Sequence, residues 1–194
     1  VQGYNAIEDN DQIEDDHGHG TQVASIAAAE SDNGVGIAGV AWHARIMPVK
    51  VASADGYASY LSIGYGIRYA ADHGAHVINI SLGGYNPSFI LEDACEYAYR
   101  KGCILVAASG NTGSAVLYPA AYDDYCVAVG ATDFKDEIAP FSNFGPQIDI
   151  VAPGVMIYCA TYDPMAPTRT DLYAWVSGTS YATPHVPGAA ALLV

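Results

Sequence analysis

Val77-Ile78-Asn79-Ile80-Ser81-Leu82-Gly83-Gly84 and Ile104-Leu105-Val106-Ala107-Ala108-Ser109-Gly110-Asn111 decide the fold. Each is a short, near-continuous apolar run that stops at small polar residues. Runs of this kind are strands covered on both faces. Between them, residues 89–100 carry a helical pattern that ends at Lys101-Gly102. Upstream, Leu61, Ile63, Ile67 and Ala70 fall at helical spacing over residues 59–72, and His73-Gly74 supplies the stop. Strands of four to six residues alternating with longer helices make βαβ units and a parallel sheet.

The pattern extends outward from this centre. Val127–Gly130 and Ile148–Ala152 read as two more strands, and Arg45–Val51 as another weakened by Pro48. Thr21, Val23, Ala24, Ile26 and Ala27 outline a helix from about Thr21 to Ala29, and the segment from about Ser180 is helical again. Residues 1–18 are polar and acidic, and Asn33-Gly34-Val35-Gly36 is a loop. In open parallel sheets, sites form beyond the carboxyl ends of the strands. Three such exits are polar and glycine-rich: Ser81–Gly84, Ser109–Asn111, and the loop before Ser180.

Composition narrows the class. The 194 residues suit one domain; 51% are hydrophobic and 14% charged, which excludes a disordered chain. No apolar run approaches the roughly 18 residues of a membrane span. Seven basic against 21 acidic residues give a net charge of −14. That field repels phosphate backbones and anionic lipid, so no nucleic-acid partner and no membrane span are expected. GxGxxG after the first strand and a P-loop are both missing, against a nucleotide-binding domain. The sequence opens at Val1 without Met or a basic leader, and stops inside the apolar run Ala189–Val194. It reads as a piece of something longer. Cys95, Cys103, Cys126 and Cys159 lack CxxC spacing and allow three complete pairings. Cys103 and Cys126 each begin a strand and could face each other; equally, all four could be small buried hydrophobes.

Three polar residues stand out. Ser180 follows Gly178-Thr179 where a turn enters a helix, and Pro184 suits a first helical turn. Backbone N–H groups there favour a developing oxyanion. His19 sits between Gly18 and Gly20 at the start of a helix, and Asn111 follows Gly110 at a strand exit. Singly, each has a bland explanation: an N-cap, a structural histidine, a turn asparagine. Metal binding by His17 and His19 beside the acidic run is a further alternative.

Together their order is informative. Gly18-His19-Gly20-Thr21-x-Val23-Ala24, Val77–Gly84, Ala107–Asn111 and Gly178-Thr179-Ser180-x-Ala182-Thr183-Pro184-His185-Val186-x-Gly188 resemble the motifs of the subtilisin-like serine proteases. Phe141-Ser142-Asn143-Phe144-Gly145 and Val151-Ala152-Pro153-Gly154 are similar to two further family segments. The resemblance runs over the whole chain. It implies an α/β three-layer sandwich with a mostly parallel central sheet and helices on both faces. It also implies a serine endopeptidase with Ser180 as nucleophile, His19 as general base and acid, and Asn111 as oxyanion donor. Ser81, Leu82 and Gly83 would pair with the peptide substrate as an added strand, and Ala108, Ser109 and Gly110 would line the opposite wall. Leu117, before Tyr118-Pro119 with its possible cis bond, would fill pocket volume and favour small or medium apolar side chains.

The resemblance also implies calcium. In Ser31-Asp32-Asn33-Gly34-Val35-Gly36-Ile37, the Asn33 side chain and the carbonyls of Ser31, Val35 and Ile37 would be oxygen ligands for Ca²⁺. The acidic stretch Glu8–Asp16 could hold a second ion. Further implications are polypeptide substrates, a pro-segment inhibitor, and secretion or display at the cell surface. Two departures stand against the family pattern. No strand ending in Asp precedes His19, so residues 1–194 form one incomplete domain. The triad Asp is expected on an upstream strand outside them, and further helices beyond the carboxyl end. The alternative is an inactive peptide- or calcium-binding module. Tyr181 and Pro187 stand where Met and Ala are usual, and Pro187 would kink its helix.

Overall fold

The computed structural model describes residues 1–162 and 172–194. Its elements are β1 (Tyr4–Asn5), α1 (His19–Ala28), β2 (Val49–Lys50), α2 (Tyr60–Asp72), β3 (Val77–Ile80), α3 (Phe89–Arg100) and β4 (Ile104–Ala108). They continue as β5 (Cys126–Thr132), β6 (Ile148–Pro153), β7 (Ile157–Ala160), β8 (Tyr173–Val176), α4 (Thr179–Ala182) and α5 (His185–Ala191). Strands β3, β4, β5 and β6 lie in that order in one sheet, every pair parallel.

Alternation along the strands builds a core on each face. Leu105 and Ala107 of β4, with Cys126 and Ala128 of β5, meet Ile63, Ile67, Leu91 and Ala98 from α2 and α3. Val106, Val129 and Ala131 point the other way, against Ala182 of α4 and Val186 of α5. Helix α1 packs beside α4 and α5. The expected three-layer α/β sandwich is therefore present. Local chemistry agrees with it. Ser59 and Ser62 form a reciprocal capping box at the start of α2. Helix α3 buries Leu91, Ala94, Cys95 and Ala98, one stripe of a helix.

Several expectations need correction. The strand expected over 45–51 shrinks to Val49–Lys50, because Pro48 has no N–H to pair. Its carbonyl instead accepts from Tyr4 N at 3.1 Å, which brings a strand out of the acidic opening segment. Strands β7 and β8 form an antiparallel pair the sequence did not suggest. Cys103 does not face Cys126. The parallel register pairs Cys126 with Leu105, and the Cys103 thiol points to the Ala75 carbonyl at 3.1 Å. The neighbour of Cys126 is Cys95; their hydrogen bond, with burial, pushes the Cys126 thiol far up. All four cysteines are free and buried. Finally, Pro187 does not kink a helix. The segment after Ser180 breaks at Thr183-Pro184, α5 restarts at His185, and Pro187 falls in its first turn, where no N–H is needed.

Candidate active site

His19 is set by the start of α1. Gly18 has φ +94°, and a Cβ there would lie 2.4 Å from the Tyr162 carbonyl oxygen, so only glycine fits. Asp15 caps the helix from outside. Its Oδ1 accepts from the N–H groups of His17 (3.1 Å) and Gly18 (2.7 Å), its Oδ2 from Thr21 N (2.8 Å) and Thr21 Oγ1 (2.6 Å). Burial works to raise the Asp15 pKa, but these donors outweigh it and hold the carboxyl below its usual value. Both oxygens are thus engaged. Among the described residues, no carboxylate accepts a hydrogen bond from the His19 ring. Burial, and secondarily the charge of His17, keep the His19 imidazole below its usual pKa, and Asp15 pulls weakly the other way. The net effect favours the neutral imidazole, the form a general base needs.

Ser180 lies in the first turn of α4, where N–H groups have no acceptor within the helix. Its Oγ donates to the Ser81 carbonyl at 3.1 Å, and the Ser81 hydroxyl donates back to the Ser180 carbonyl at 2.8 Å. Asn79 Nδ2 donates to the Ser81 hydroxyl at 3.0 Å. In this state the Ser180 proton points to Ser81, not to the imidazole. The His19 ring lies edge-on to Tyr181, the next residue along, with centroids 5.7 Å apart. His19 and the helix of Ser180 therefore share one rim of the sheet.

Asn111 joins them through Thr179. Its Oδ1 accepts from Thr179 N at 2.7 Å and Thr179 Oγ1 at 3.0 Å. With the oxygen held, the NH₂ must point away, and the residue is exposed. Buried Thr179 is a hub the sequence reading missed; its hydroxyl also accepts from Gly110 N at 3.2 Å. Asn143 is another. Its Oδ1 accepts from Thr112 N, Thr112 Oγ1 and Ser114 N, and its Nδ2 donates to the Ala115 carbonyl, pinning the loop after Asn111. Both residues sat inside quoted motifs; what they bond to was not legible. Asp15 had a signal, an acidic residue just ahead of a helix.

Leu117 lies between the two expected walls. A Cβ on Gly83 would stand 3.1 Å from Leu117 Cβ, and one on Gly110 would stand 2.7 Å from Leu117 Cγ. Ser81 and Ala108–Gly110 are buried, Leu82 is half-buried, and Gly83 is exposed. Gly84 pairs with Tyr118, whose bond to Pro119 is cis.

The cation sites fare differently. Lys50 Nζ occupies the acidic stretch, donating to Asp16 Oδ2 at 2.6 Å and the Glu14 carbonyl at 2.9 Å. Among the described residues, no three His, Cys, Asp or Glu side chains converge as metal ligands, which leaves His17 and His19 without a third partner. In the 31–37 loop, Asn33 Oδ1 accepts from Val35 N at 3.0 Å. Ser31, Asn33, Val35 and Ile37 offer oxygen, the right donor for calcium, but no charge and fewer than the six to eight ligands it takes.

This sheet, with a histidine and a serine from facing helices at one rim, defines an α/β fold of the subtilisin kind. The Subtilase family profile matches residues 1–194, and the chain belongs to that family. A thermophilic serine proteinase of Bacillus sp. (strain AK1) is 45% identical over 194 residues, 100% of this chain and 46% of its own length. Thermitase of Thermoactinomyces vulgaris is 45% identical over 194 residues, covering 67% of that protein. Subtilisin BL of Lederbergia lenta is 48% identical over 181 residues, 93% of this chain and 64% of the relative. The crystal structure of a cold-adapted subtilisin-like serine proteinase matches with a TM-score of 0.87 at 34% identity, covering 100% of this chain and 67% of that one. The chain thus spans between 46% and 67% of the length of these relatives.

Proposed function

We propose that the protein is a serine endopeptidase. Ser180 Oγ attacks the substrate carbonyl carbon while His19 takes its proton, and His19 then delivers that proton to the leaving amine. A second, water-driven round releases the acyl group. For the first step, the hydroxyl must turn from the Ser81 carbonyl to the imidazole. Asn111 Nδ2 and the Ser180 N–H donate to the oxyanion. The observation that carries this reading is the shared rim. The His19 ring rests on the residue after Ser180, and the Asn111 amide is oriented by the residue before it. Both Asp15 oxygens are engaged elsewhere, which favours a triad carboxylate from a segment outside these residues.

Ser81, Leu82 and Gly83 take the peptide backbone as an added strand, and Ala108, Ser109 and Gly110 form the far wall. Leu117 between them makes the pocket shallow, suited to small or medium apolar side chains. Profiling on a peptide library tests this; a preference for large aromatic or basic residues overturns it. The 31–37 loop supplies part of a calcium site completed by other ligands, which titration calorimetry with Ca²⁺ tests. Secretion or a cell-surface location fits the family and the net charge of −14, and no helix among the described residues is long and apolar enough to cross a membrane. A pro-segment inhibitor follows from the family alone.

The deciding experiment is fluorophosphonate labelling of the protein expressed from its complete gene. Labelling lost on Ser180→Ala supports the peptidase. Intact labelling in that variant, or none in the wild type, overturns it in favour of an inactive peptide-binding module.

A further inference from the structure

Tyr181 departs from the family pattern, and its surroundings say what it does. It follows Ser180 on α4, yet its hydroxyl and its ring both reach α1. Its ring meets the His19 ring edge-on, with centroids 5.7 Å apart and planes at 60°. Its hydroxyl donates to Gln22 Oε1 at 2.9 Å, and Gln22 Nε2 donates onward to Thr161 Oγ1 at 3.0 Å. His19 and Gln22 are three residues apart on α1, so they share one face. The amide has one acceptor and one donor end, and each has its own partner. The tyrosine ring is therefore held in one orientation, and the imidazole lies against it. A residue that only filled space here would need no hydroxyl.

We propose that Tyr181 is a positioning residue for His19. Its ring is the stop against which the imidazole rests, and Gln22 holds that ring. The clamp ties the helix of the nucleophile to the helix of the base. This rests on the reading of His19 and Ser180 as base and nucleophile. Among the described residues, the groups that face His19 include His17, with its ring centroid 6.3 Å away; Asp15, whose charge reaches it; and the Tyr181 ring. Of these, Tyr181 supplies apolar cover. Burial also keeps the phenol protonated, so it remains a donor to Gln22.

The test combines a titration with a rate. The His19 ring is followed by NMR, assigned with His19→Gln, and Ser180 modification by a fluorophosphonate is timed. The wild-type His19 midpoint is the reference. Tyr181→Leu removes the covering ring and moves that midpoint up; Tyr181→Phe keeps the ring and leaves the midpoint close to the wild-type one. Tyr181→Phe and Gln22→Leu both break the Tyr181–Gln22 bond, and Gln22→Leu also loses the bond to Thr161; each slows modification about threefold to tenfold, and the double variant is no slower than Gln22→Leu alone. Equal His19 midpoints in the wild type, Leu and Phe variants overturn the proposal. So does a double variant slowed by the product of the single effects. If Tyr181→Leu does not fold, the Phe and Gln22 variants decide by rate. If the wild type is not labelled at Ser180, the peptidase reading fails on that count, and the ordered midpoints alone judge the clamp.

Discussion

Replacing Asp15 is the sharpest test of how α1 is built. Its carboxylate accepts four hydrogen bonds, two on each oxygen, all from the segment that presents His19. Loss of a capping side chain costs about 0.5–2 kcal/mol, and a carboxylate with four donors belongs at the upper end. At about 2 kcal/mol, a chain of this size loses about 4–8 °C in Tm. Asp15→Asn keeps the acceptor facing His17 and Gly18 or the one facing Thr21, but not both, so its loss is about half. The pH dependence has a definite sign. The folded carboxyl titrates below its ordinary value of 3.8. Its contribution is therefore complete above pH 3.8 and is lost as pH falls through the folded pKa. The gap between wild type and Asp15→Ala, measured by calorimetry, is full at neutral pH and closes in acid. A gap that is absent at pH 7, or equally wide at pH 3, refutes this account of the helix start.

Other substitutions probe the rest of the frame. Thr179→Val leaves the buried Gly110 N–H without its acceptor and removes one of the two hydrogen bonds to Asn111 Oδ1, the backbone one remaining; about 1–3 kcal/mol of stability is lost, visible in thermal melts. Gly110→Ala forces a side chain to φ +111° and within 2.3 Å of Asn143 Nδ2, so it lowers Tm by several degrees. Leu91→Ala opens a cavity where the side chain is fully buried, costing about 2–5 kcal/mol in denaturant unfolding. Pro187→Ala changes stability by less than about 1 kcal/mol, because the proline already sits in a first turn; a gain near 3 kcal/mol would show that it strains the helix.

What the sequence made legible was local. Ile104–Ala108 and residues 89–100 fell where periodicity put them, because a buried strand and a one-sided helix write their burial into consecutive residues. His19 at the start of α1 and Ser180 in the first turn of α4 also stand where their glycine turns put them, while their roles rest on the resemblance. What escaped depended on distant partners. The Tyr181–Gln22 bond spans 159 positions, and no spacing rule links them. The cysteine pairing failed because sheet register, set by the whole of β4 and β5, moved Cys126 opposite Leu105. Lys50 in the acidic stretch was invisible for the same reason, being 34 residues from Asp16. The β7–β8 ribbon was missed because twelve residues separate its strands, too many for a short hairpin signal. Pro187 was misjudged because the break at Thr183-Pro184 restarts the helix.

The pairing of His19 with Ser180 is tested most directly by the pH profile of Ser180 modification. If the imidazole is the base, the fluorophosphonate rate rises through a single midpoint that coincides with the His19 NMR midpoint, and His19→Ala abolishes the rise. A rate that shows no step at the His19 NMR midpoint, or a profile unchanged by His19→Ala, contradicts it.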